Sequence, residues 1–448
     1  MRAVWILLLS LCVPGLVSAE LEVNGYVETY LRYWAHGDSG RWTWNENRLQ
    51  LQFEGMPSEG LHYYAEIRLR GFGFPEASSA ADLQRPESAF PWSLELREAY
   101  ADLYGFLHPD LDLRVGRQVI AWGTADKLNP TSNLSPYDLE DFLELGERLG
   151  VDALRAIFSA EPWSIEVDLV PVFAPAVLPP PEWSRAFFDP PDLPPGLRIG
   201  AFRDILELPS RKLSETSEAA LKLSTTLKGW DLSISYLYGR DCFPTLVGVE
   251  VVPVDTSGTV EITSRSYFPR IRVLGADFSG SLRKIGIWGE GALFFPEDVV
   301  LTKIQPTPSG AIVRTDSTVL SSDKPFFRYV LGADYTFRDG TYLNFQYAHG
   351  LFHERGSDDL HDYFTLRVEK SFLNDELKLA PMTLTATVSD WKAPGENYGV
   401  AWAPELIYTP MDNMEVKLGA FVLQGEGENI FSRLKVRDEI YARFKVSF

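Results

Sequence analysis

The chain has 448 residues, of which 45% are hydrophobic and 13% aromatic, and its formal net charge is −20. This acidic balance, with no block of basic residues, argues against a nucleic-acid partner. No stretch beyond the first 19 residues approaches the roughly 18 consecutive apolar residues of a membrane-spanning helix. The composition therefore fits a secreted soluble protein or a β-barrel, whose alternating strands average to neutral hydropathy.

The first 19 residues have the pattern of a secretory signal peptide. They carry one charge, Arg2, ahead of an apolar run, and they end on small residues, which is typical of a cleavable leader. We expect the mature chain to span 20–448. A lipid-modified Cys12 is the alternative. After cleavage, Cys242 is the remaining cysteine in the sequence, which excludes an internal disulfide.

From residue 21 onward, segments of about ten residues alternate between apolar and polar positions. In 42–55, for example, Leu49 and Leu51 oppose Arg48 and Gln50. This period of two predicts strands with one oily and one wet face. The predicted strands are 23–34, 42–55, 61–70, 93–104, 111–121, 150–159, 163–173, 218–227, 231–240, 270–280, 284–294, 325–336, 341–350, 360–371, 377–390, 397–409, 414–424 and 434–448.

The connections between these strands are short and long in turn. An even count of about 18 strands places both chain ends beside the short turns, as in an up-and-down antiparallel transmembrane barrel with short periplasmic turns and long extracellular loops. Sixteen strands is the alternative, because 93–104 and 397–409 alternate poorly. One of the long connections, 174–217, is proline-rich, and prolines cannot supply central sheet hydrogen bonds.

The last predicted strand, 434–448, alternates throughout and ends on Phe448, with Phe444 four residues earlier. This pattern resembles the terminal strand of Gram-negative outer-membrane barrels, whose assembly machinery reads a final aromatic residue. The resemblance implies that Phe444 and Phe448 are an assembly signal, and that the partners include the barrel-assembly machinery, outer-membrane lipids and lipopolysaccharide. The alternative is an edge strand of a soluble sandwich.

A second resemblance lies in 114–142, RVGRQVIAWGTADKLNPTSNLSPYDLEDF. It is similar to an uncharacterised family of porin-like proteins of the bacterial outer membrane, and more distantly to the alginate-export porin. The resemblance implies a channel but names no solute. The residues that carry it are Gly116, Arg117, Gln118, Val119, Trp122, Gly123, Asn129, Pro130, Asp138 and Leu139.

Alternation along 111–121 directs Arg114 and Gly116 inward but Arg117 toward lipid, where a charge costs about 2–4 kcal/mol. We therefore expect a β-bulge at Gly116 that returns Arg117 to the lumen. Within the following loop, 122–149, helical spacing of leucines predicts a short acidic helix over 137–149. Such a loop could fold inward and constrict the pore, or it could lie exposed on the surface.

Charged and polar side chains at inward positions are expected to line the pore and tune its selectivity. An inward row of arginines favours anions, whereas glutamates on the same strands (Glu54, Glu66 and Glu369) could simply neutralise it. The candidate pore-lining and constriction residues are Arg48, Arg68, Arg70, Arg114, Arg117, Gln118, Asp138, Glu140, Asp141, Arg367 and Arg443.

A search for catalytic and metal-binding motifs does not support an enzyme or a metal site. The sequence has no Gly-x-Ser-x-Gly or His-Glu-x-x-His motif, so no enzyme and no cofactor are expected. His349, His353 and His361 cluster near Asp358 and Asp359, but their spacing defines no metal geometry, and no metal is expected.

Taken together, the sequence predicts an outer-membrane porin through which small solutes diffuse, with a preference for anions as one option. Many aromatic residues in the loops leave open a channel for hydrophobic solutes or lipids. A barrel without transport, used as an adhesin or an enzyme, is the third interpretation.

Overall fold

The structure is a computed structural model that describes residues 21–35, 40–184, 186–187, 197–256, 258–307 and 311–448. The predicted signal peptide, 1–19, and much of the proline-rich stretch lie outside these residues. Among the helices of the described part, none is long and apolar enough to span a membrane.

Strands dominate the described chain. In chain order they are β1 Glu22–Trp34, β2 Arg41–Ser58, β3 Leu61–Phe72, β4 Trp92–Leu103, β5 Leu111–Gln118, β6 Val151–Ala160, β7 Trp163–Val170, β8 Arg198–Glu207, β9 Glu218–Leu227, β10 Trp230–Arg240, β11 Thr245–Pro253, β12 Thr259–Tyr267, β13 Arg270–Leu282, β14 Ile285–Pro296, β15 Val299–Pro306, β16 Ile312–Leu320, β17 Phe326–Thr336, β18 Tyr342–His349, β19 Asp362–Phe372, β20 Leu377–Val388, β21 Tyr398–Trp402, β22 Glu405–Met411, β23 Met414–Glu426 and β24 Glu439–Ser447.

Within the described residues, helical structure is confined to single turns. The α-helical turns are Pro86–Ala89, Pro181–Ser184, Leu213–Thr216 and Ile430–Arg433, and the 3-10 turns are Asp82–Gln84 and Phe142–Glu144.

A closed antiparallel barrel of 18 strands forms the body of the protein. Each barrel strand pairs with the next barrel strand along the chain, so that β7 pairs with β9, β10 with β13 and β14 with β17. β1 pairs with β24 to close the ring, and β21 and β22 are two halves of one strand between β20 and β23. Closure leaves no unpaired strand edge in the barrel wall, as a membrane interior requires. The predicted all-β class, barrel topology and count of 18 are confirmed.

Alternation sorts the side chains between the two faces of the wall. Val167 on β7 is 48% exposed while its neighbour Asp168 is 0% exposed, and Ile440 on β24 is 52% exposed beside Glu439 at 2%. Apolar residues thus form the outer surface, and polar residues point inward and are covered there. This is the arrangement of a barrel whose outside contacts lipid.

A second sheet was not predicted. Five strands from three long connections pair in the order β16-β15-β11-β12-β8, with β11–β15 and β12–β8 parallel. Residues 241–269 and 295–324, expected to be loops, therefore contribute strands, as does the end of 174–217. Val249, Val251, Val260, Ile262 and Leu301 form the core of this sheet.

The final strand is shorter than predicted. Asn429 caps the turn Ile430–Arg433 with a reciprocal side-chain pair, and Leu434 is buried in the interior. The strand therefore begins at Glu439 rather than at 434. From there the predicted alternation holds to Ser447.

Candidate functional site

Six inward arginines on neighbouring strands line one side of the barrel. We call this set the arginine wall: Arg32 on β1, Arg48 on β2, Arg68 and Arg70 on β3, Arg97 on β4 and Arg443 on β24. Glutamates on the strands neutralise part of it. Arg48 contacts Glu46 at 3.0 Å, and Arg70 contacts the same carboxylate at 2.8 Å. The other strand partners of the wall are Glu28, Glu95 and Glu439.

Residues 119–149, between β5 and β6, supply the remaining carboxylates. Asp138 contacts Arg97 at 2.9 Å, Glu140 contacts Arg70 at 2.5 Å and Asp141 contacts Arg32 at 2.7 Å. Two further pairs complete the row: Glu144 with Arg443, and Glu147 with Arg68 at 3.3 Å. Five acidic residues within ten positions are thus bound to five different arginines.

The environment changes the acidity of these carboxyls. Burial raises the pKa of Asp141 to about 6, although Arg32 opposes the rise. Burial also acts to raise the pKa of Glu147, but Arg68 and Arg97 outweigh it and hold that pKa below its usual range. The arginine wall thus stabilises the ionised form of Glu147, whereas burial makes the ionised form of Asp141 less favourable.

The acidic helix predicted over 137–149 is not formed. The stretch folds instead as two short antiparallel arms: the Asp138 amide donates to the Glu147 carbonyl (3.0 Å), and the Leu149 amide donates to the Pro136 carbonyl (2.9 Å). A 3-10 turn at Phe142–Glu144 lies between the arms. Extended arms let successive carboxylates reach strands β1, β3, β4 and β24, which a single helix face could not do.

The first half of 119–149 binds the other side of the barrel. Glu290 on β14 accepts hydrogen bonds from the Ala125 amide (3.1 Å), the Asn129 side chain (2.9 Å) and the Thr131 hydroxyl. Asp126 accepts from two amide side chains of β18, those of Asn344 and Gln346. In ring order β14 lies opposite β2, so the segment is bonded to strands on opposite sides of the barrel.

An inward apolar surface lies on that second side. We call it the apolar wall: Val151, Ala153, Val170, Ala220, Leu237, Ile271, Val273, Ala292, Phe294 and Phe326, from strands β6 to β17. Ile120, Trp122 and Leu134 of the 119–149 segment pack against it and are almost fully buried. The Trp122 ring nitrogen donates to Glu166 on β7 at 2.8 Å.

Two predicted site residues, Arg117 and Gln118, lie elsewhere than expected. The β4–β5 and β5–β6 registers run without interruption through Gly116, so the predicted bulge is wrong and Arg117 stays on the outward face, 3.8 Å from Asp152. Gly116 is needed because a Cβ there would lie 2.3 Å from the Ala99 carbonyl oxygen, and its φ is +129°. Gln118 is fully buried, donating to the Ala153 carbonyl, and lines no open space.

Arg114 and Arg367 point inward but do not meet the 119–149 segment. Arg114 pairs with Asp102 at 2.6 Å and stacks over the Tyr100 ring, toward the short turns. Arg367 binds Glu369 on its own strand, β19, at 3.0 Å and Glu405 on β22 at 3.2 Å. The acidic residues of 119–149 therefore face the arginine wall and contact neither Arg114 nor Arg117.

Several residues of the site escaped sequence reasoning. Arg32 and Glu28 occupy inward positions in the alternating pattern of β1, so an assignment of the inward face of that strand could have predicted them. Glu290 and the pair Asn344–Gln346 carry no such signal, because nothing in the sequence links them to residues about 160 and 220 positions away.

The structure also shows the contacts of the last residue and of two of the histidines. Phe448 exchanges backbone hydrogen bonds with Gly25 at 3.0 and 2.9 Å, so the last residue still belongs to the barrel seam. His349 pairs with Asp362, and His361 pairs with Glu354. Across the described residues, no group of three or more metal-ligating side chains occurs.

A closed barrel with an apolar outer surface and a charged interior defines the class of outer-membrane β-barrel proteins. Within that class, a family model described as "Protein of unknown function (DUF1302)" matches residues 74–321, and the chain belongs to this family. The match includes 114–142. No curated protein matches the chain.

Three solved structures are similar to this chain over nearly its whole length. OccK11 of Pseudomonas aeruginosa is 10% identical, with a TM-score of 0.50, and the match covers 96% of this chain and 95% of that one. OmpF of Salmonella typhi, in a complex with daunomycin, is 12% identical with a TM-score of 0.40, covering 96% and 97%. OmpT of Vibrio cholerae is 10% identical with a TM-score of 0.42, covering 96% and 98%.

Proposed function

We propose that the protein is an outer-membrane channel for small solutes, narrowed by residues 119–149. One observation carries the proposal: this segment is bonded to strands on opposite sides of a closed 18-stranded barrel. A barrel of this size normally encloses an aqueous lumen. A solute on the barrel axis must therefore pass beside the segment or displace it.

A cavity near the short turns supports an aqueous path. Its volume is about 600 Å3, and it is bordered by strands β6, β7, β9, β10 and β13. Six of its thirteen lining residues are serine or threonine, and four are charged: Glu161, Lys222, Asp231 and Asp277. Water and small polar solutes are compatible with such a surface.

Charge at the constriction depends on the segment. Among the described ion pairs, the six arginines of the wall face four strand glutamates, which gives a net charge of +2. The five carboxylates of 138–147 change this to −3. We infer that a channel with the segment in place leans toward cations, and that the anion preference belongs to the state in which the segment has left the wall.

A channel for hydrophobic solutes is the second candidate. The apolar wall favours it, because a purely aqueous pore has no need of ten inward apolar side chains. In both cases we propose transport without catalysis or a cofactor. The proposed partners are the solute, outer-membrane lipids and lipopolysaccharide, and the barrel-assembly machinery acting on Phe444 and Phe448.

Single-channel recording of the purified protein in a planar bilayer tests the proposal. We expect discrete conductance steps whose reversal potential in a salt gradient leans toward cations. Folding is checked by the shift in gel mobility between unheated and boiled protein. Folded protein that gives no steps would contradict the channel and favour a barrel without transport, such as an adhesin or an enzyme.

A further inference from the structure

The two walls of the lumen have opposite chemistry and are covered by a single segment. Residues 138–147 present carboxylates to the arginine wall, and Ile120, Trp122 and Leu134 present apolar groups to the apolar wall. The segment is thus an acidic and apolar ligand of its own barrel. What it covers indicates what else the lumen can bind.

The arginine wall is built to hold carboxylates. Arg70 donates to Glu46 and Glu140, and Arg97 donates to Asp138 and Glu147. Because the strand glutamates leave the wall with a charge of +2, removal of the segment exposes arginines that need anions. A neutral molecule entering this space would leave the excess charge of +2 on the wall uncompensated, which is costly in a partly buried site.

The apolar wall needs a different occupant. Phe294 stacks on Phe326 with ring centroids 4.9 Å apart, and the apolar residues beside them are shielded from water. If the segment leaves, a small inorganic anion cannot cover this surface. A solute with an apolar body restores the lost burial, at roughly 25 cal/mol per Å2 of apolar area.

We propose that the channel takes amphipathic organic carboxylates, with the acid group on the arginine wall and the apolar body along the apolar wall. The inference rests on the proposed function and specifies its substrate class. The solute competes with residues 138–147 for the arginines and with Ile120, Trp122 and Leu134 for the apolar wall, and it displaces the segment as it passes.

Competition in single-channel recordings tests the proposal. Acetate, hexanoate and hexanol are each titrated onto the full-length channel, and occupancy is measured as the concentration that gives half of the maximal change in open-channel current. We expect hexanoate to act at a concentration about tenfold or more below that of acetate, since four additional methylenes are buried, and below that of hexanol, which lacks the charge.

Variants of the segment and of the arginine wall test this competition, with an outward arginine as the control. The double variant Glu140→Gln/Glu144→Gln weakens the competing segment, so hexanoate should act at a roughly threefold to tenfold lower concentration. Arg70→Gln should raise that concentration about tenfold. Arg117→Gln is the matched control: this arginine lies on the outward face, and its removal should change the value less than about twofold.

Each outcome decides something. Equal concentrations for acetate and hexanoate would overturn the proposal in favour of a simple anion pore, and equal values for hexanol and hexanoate would overturn it in favour of a hydrophobic pore. An unchanged response of the Glu140→Gln/Glu144→Gln channel would contradict competition with the segment. Absence of current in every variant contradicts the channel itself, which distinguishes failure of the proposed function from failure of the substrate class.

Discussion

Gly116 lies where the backbones of β4 and β5 come unusually close. A methyl group there would meet the Ala99 carbonyl oxygen at 2.3 Å, and the positive φ is unfavourable for any side chain. The sequence pattern predicts that a glycine is required here, but it predicts a β-bulge where the structure has a close approach of two strands. Both features require glycine, so the residue type alone does not distinguish them. The register of three strands decides between them.

Substitution Gly116→Ala should destabilise the barrel by about 2–3 kcal/mol, from backbone strain and the steric clash together. The measurement is the temperature at which unheated protein loses its fast gel mobility. Gly395→Ala is the control, since nothing lies within 4 Å of the methyl group it adds. Equal shifts in the two variants would contradict the close approach.

Glu290 fastens the first half of the 119–149 segment to β14. Glu290→Ala removes the acceptor of four side-chain and backbone donors and should weaken docking of the segment by about 2 kcal/mol or more. We expect noisier single-channel currents and faster proteolysis within 119–135. Glu59→Ala, in the exposed turn between β2 and β3, is the control. Currents as quiet as those of wild type would show that Glu290 is not the anchor.

At the scale of elements, the barrel strands were predictable and the outer sheet was not. Lipid on one side and charge on the other impose a strict period of two on each barrel strand, and neighbours in sequence are neighbours in space. β8, β12, β11 and β15 pair across three different connections, two of the pairings being parallel, so sequence proximity does not bring them together.

The prediction of a helix over 137–149 was wrong for a related reason. Spacing of three and four residues between leucines predicts a helix when local preferences decide the outcome. Here the partners of its carboxylates lie on strands as distant in sequence as Arg32 and Arg443. These contacts favour extended arms over a helix, and the sequence pattern within the stretch does not predict the contacts.

The connection between β18 and β19, residues 350–361, should be sensitive to acid. Burial lowers the pKa of His353, which packs against the rings of Phe187 and Phe352, to about 4. A histidine with a depressed pKa in the folded state contributes stability above its unfolded value of about 6.5, and this stability is lost as the pH falls toward 4.

Nearby carboxyls modify this effect. Burial acts to raise the pKa of Glu354, but the hydrogen bonds with His361 and Tyr363 and the nearby His353 together lower that pKa, so Glu354 adds a further loss of stability at the acid end. Burial raises the pKa of Asp359, which acts weakly in the opposite direction. The sum remains a loss of stability on acidification.

Hydrogen exchange in 350–361 measures this loss. After correction for the intrinsic rate, protection in the wild type should fall about tenfold between pH 7 and pH 5. His353→Gln should have little of this pH dependence, and His108→Gln, in an exposed turn, should keep all of it. Protection that does not change with pH in the wild type would contradict the assignment.

At the scale of the whole molecule, one segment connects the two sides of the lumen. The class, the closed ring and the strand count follow from alternation and from the rule that both chain ends lie beside the short turns. The arginines of β2, β3 and β24 follow from the same alternation. The sequence does not show which carboxylates these arginines bind, because the path of a 32-residue connection through a barrel is set by tertiary contacts alone.

The most direct test of the account shortens this connection. Asp138 and Glu147 oppose each other in the two arms, so residues 139–146 can be replaced with a two-residue Asn-Gly turn. The replacement removes Glu140, Asp141 and Glu144 from the arginine wall and leaves the barrel strands unchanged. The measurement is single-channel conductance and reversal potential in a salt gradient, beside the wild type.

We predict a conductance several-fold higher and a reversal potential that moves from cation-leaning to nearly unselective, since the removal of three carboxylates changes the net charge of the wall and segment from −3 to about 0. A folded, heat-modifiable variant with the conductance and reversal potential of the wild type would contradict the central claim, because the 139–146 turn would then lie outside the path of the ions.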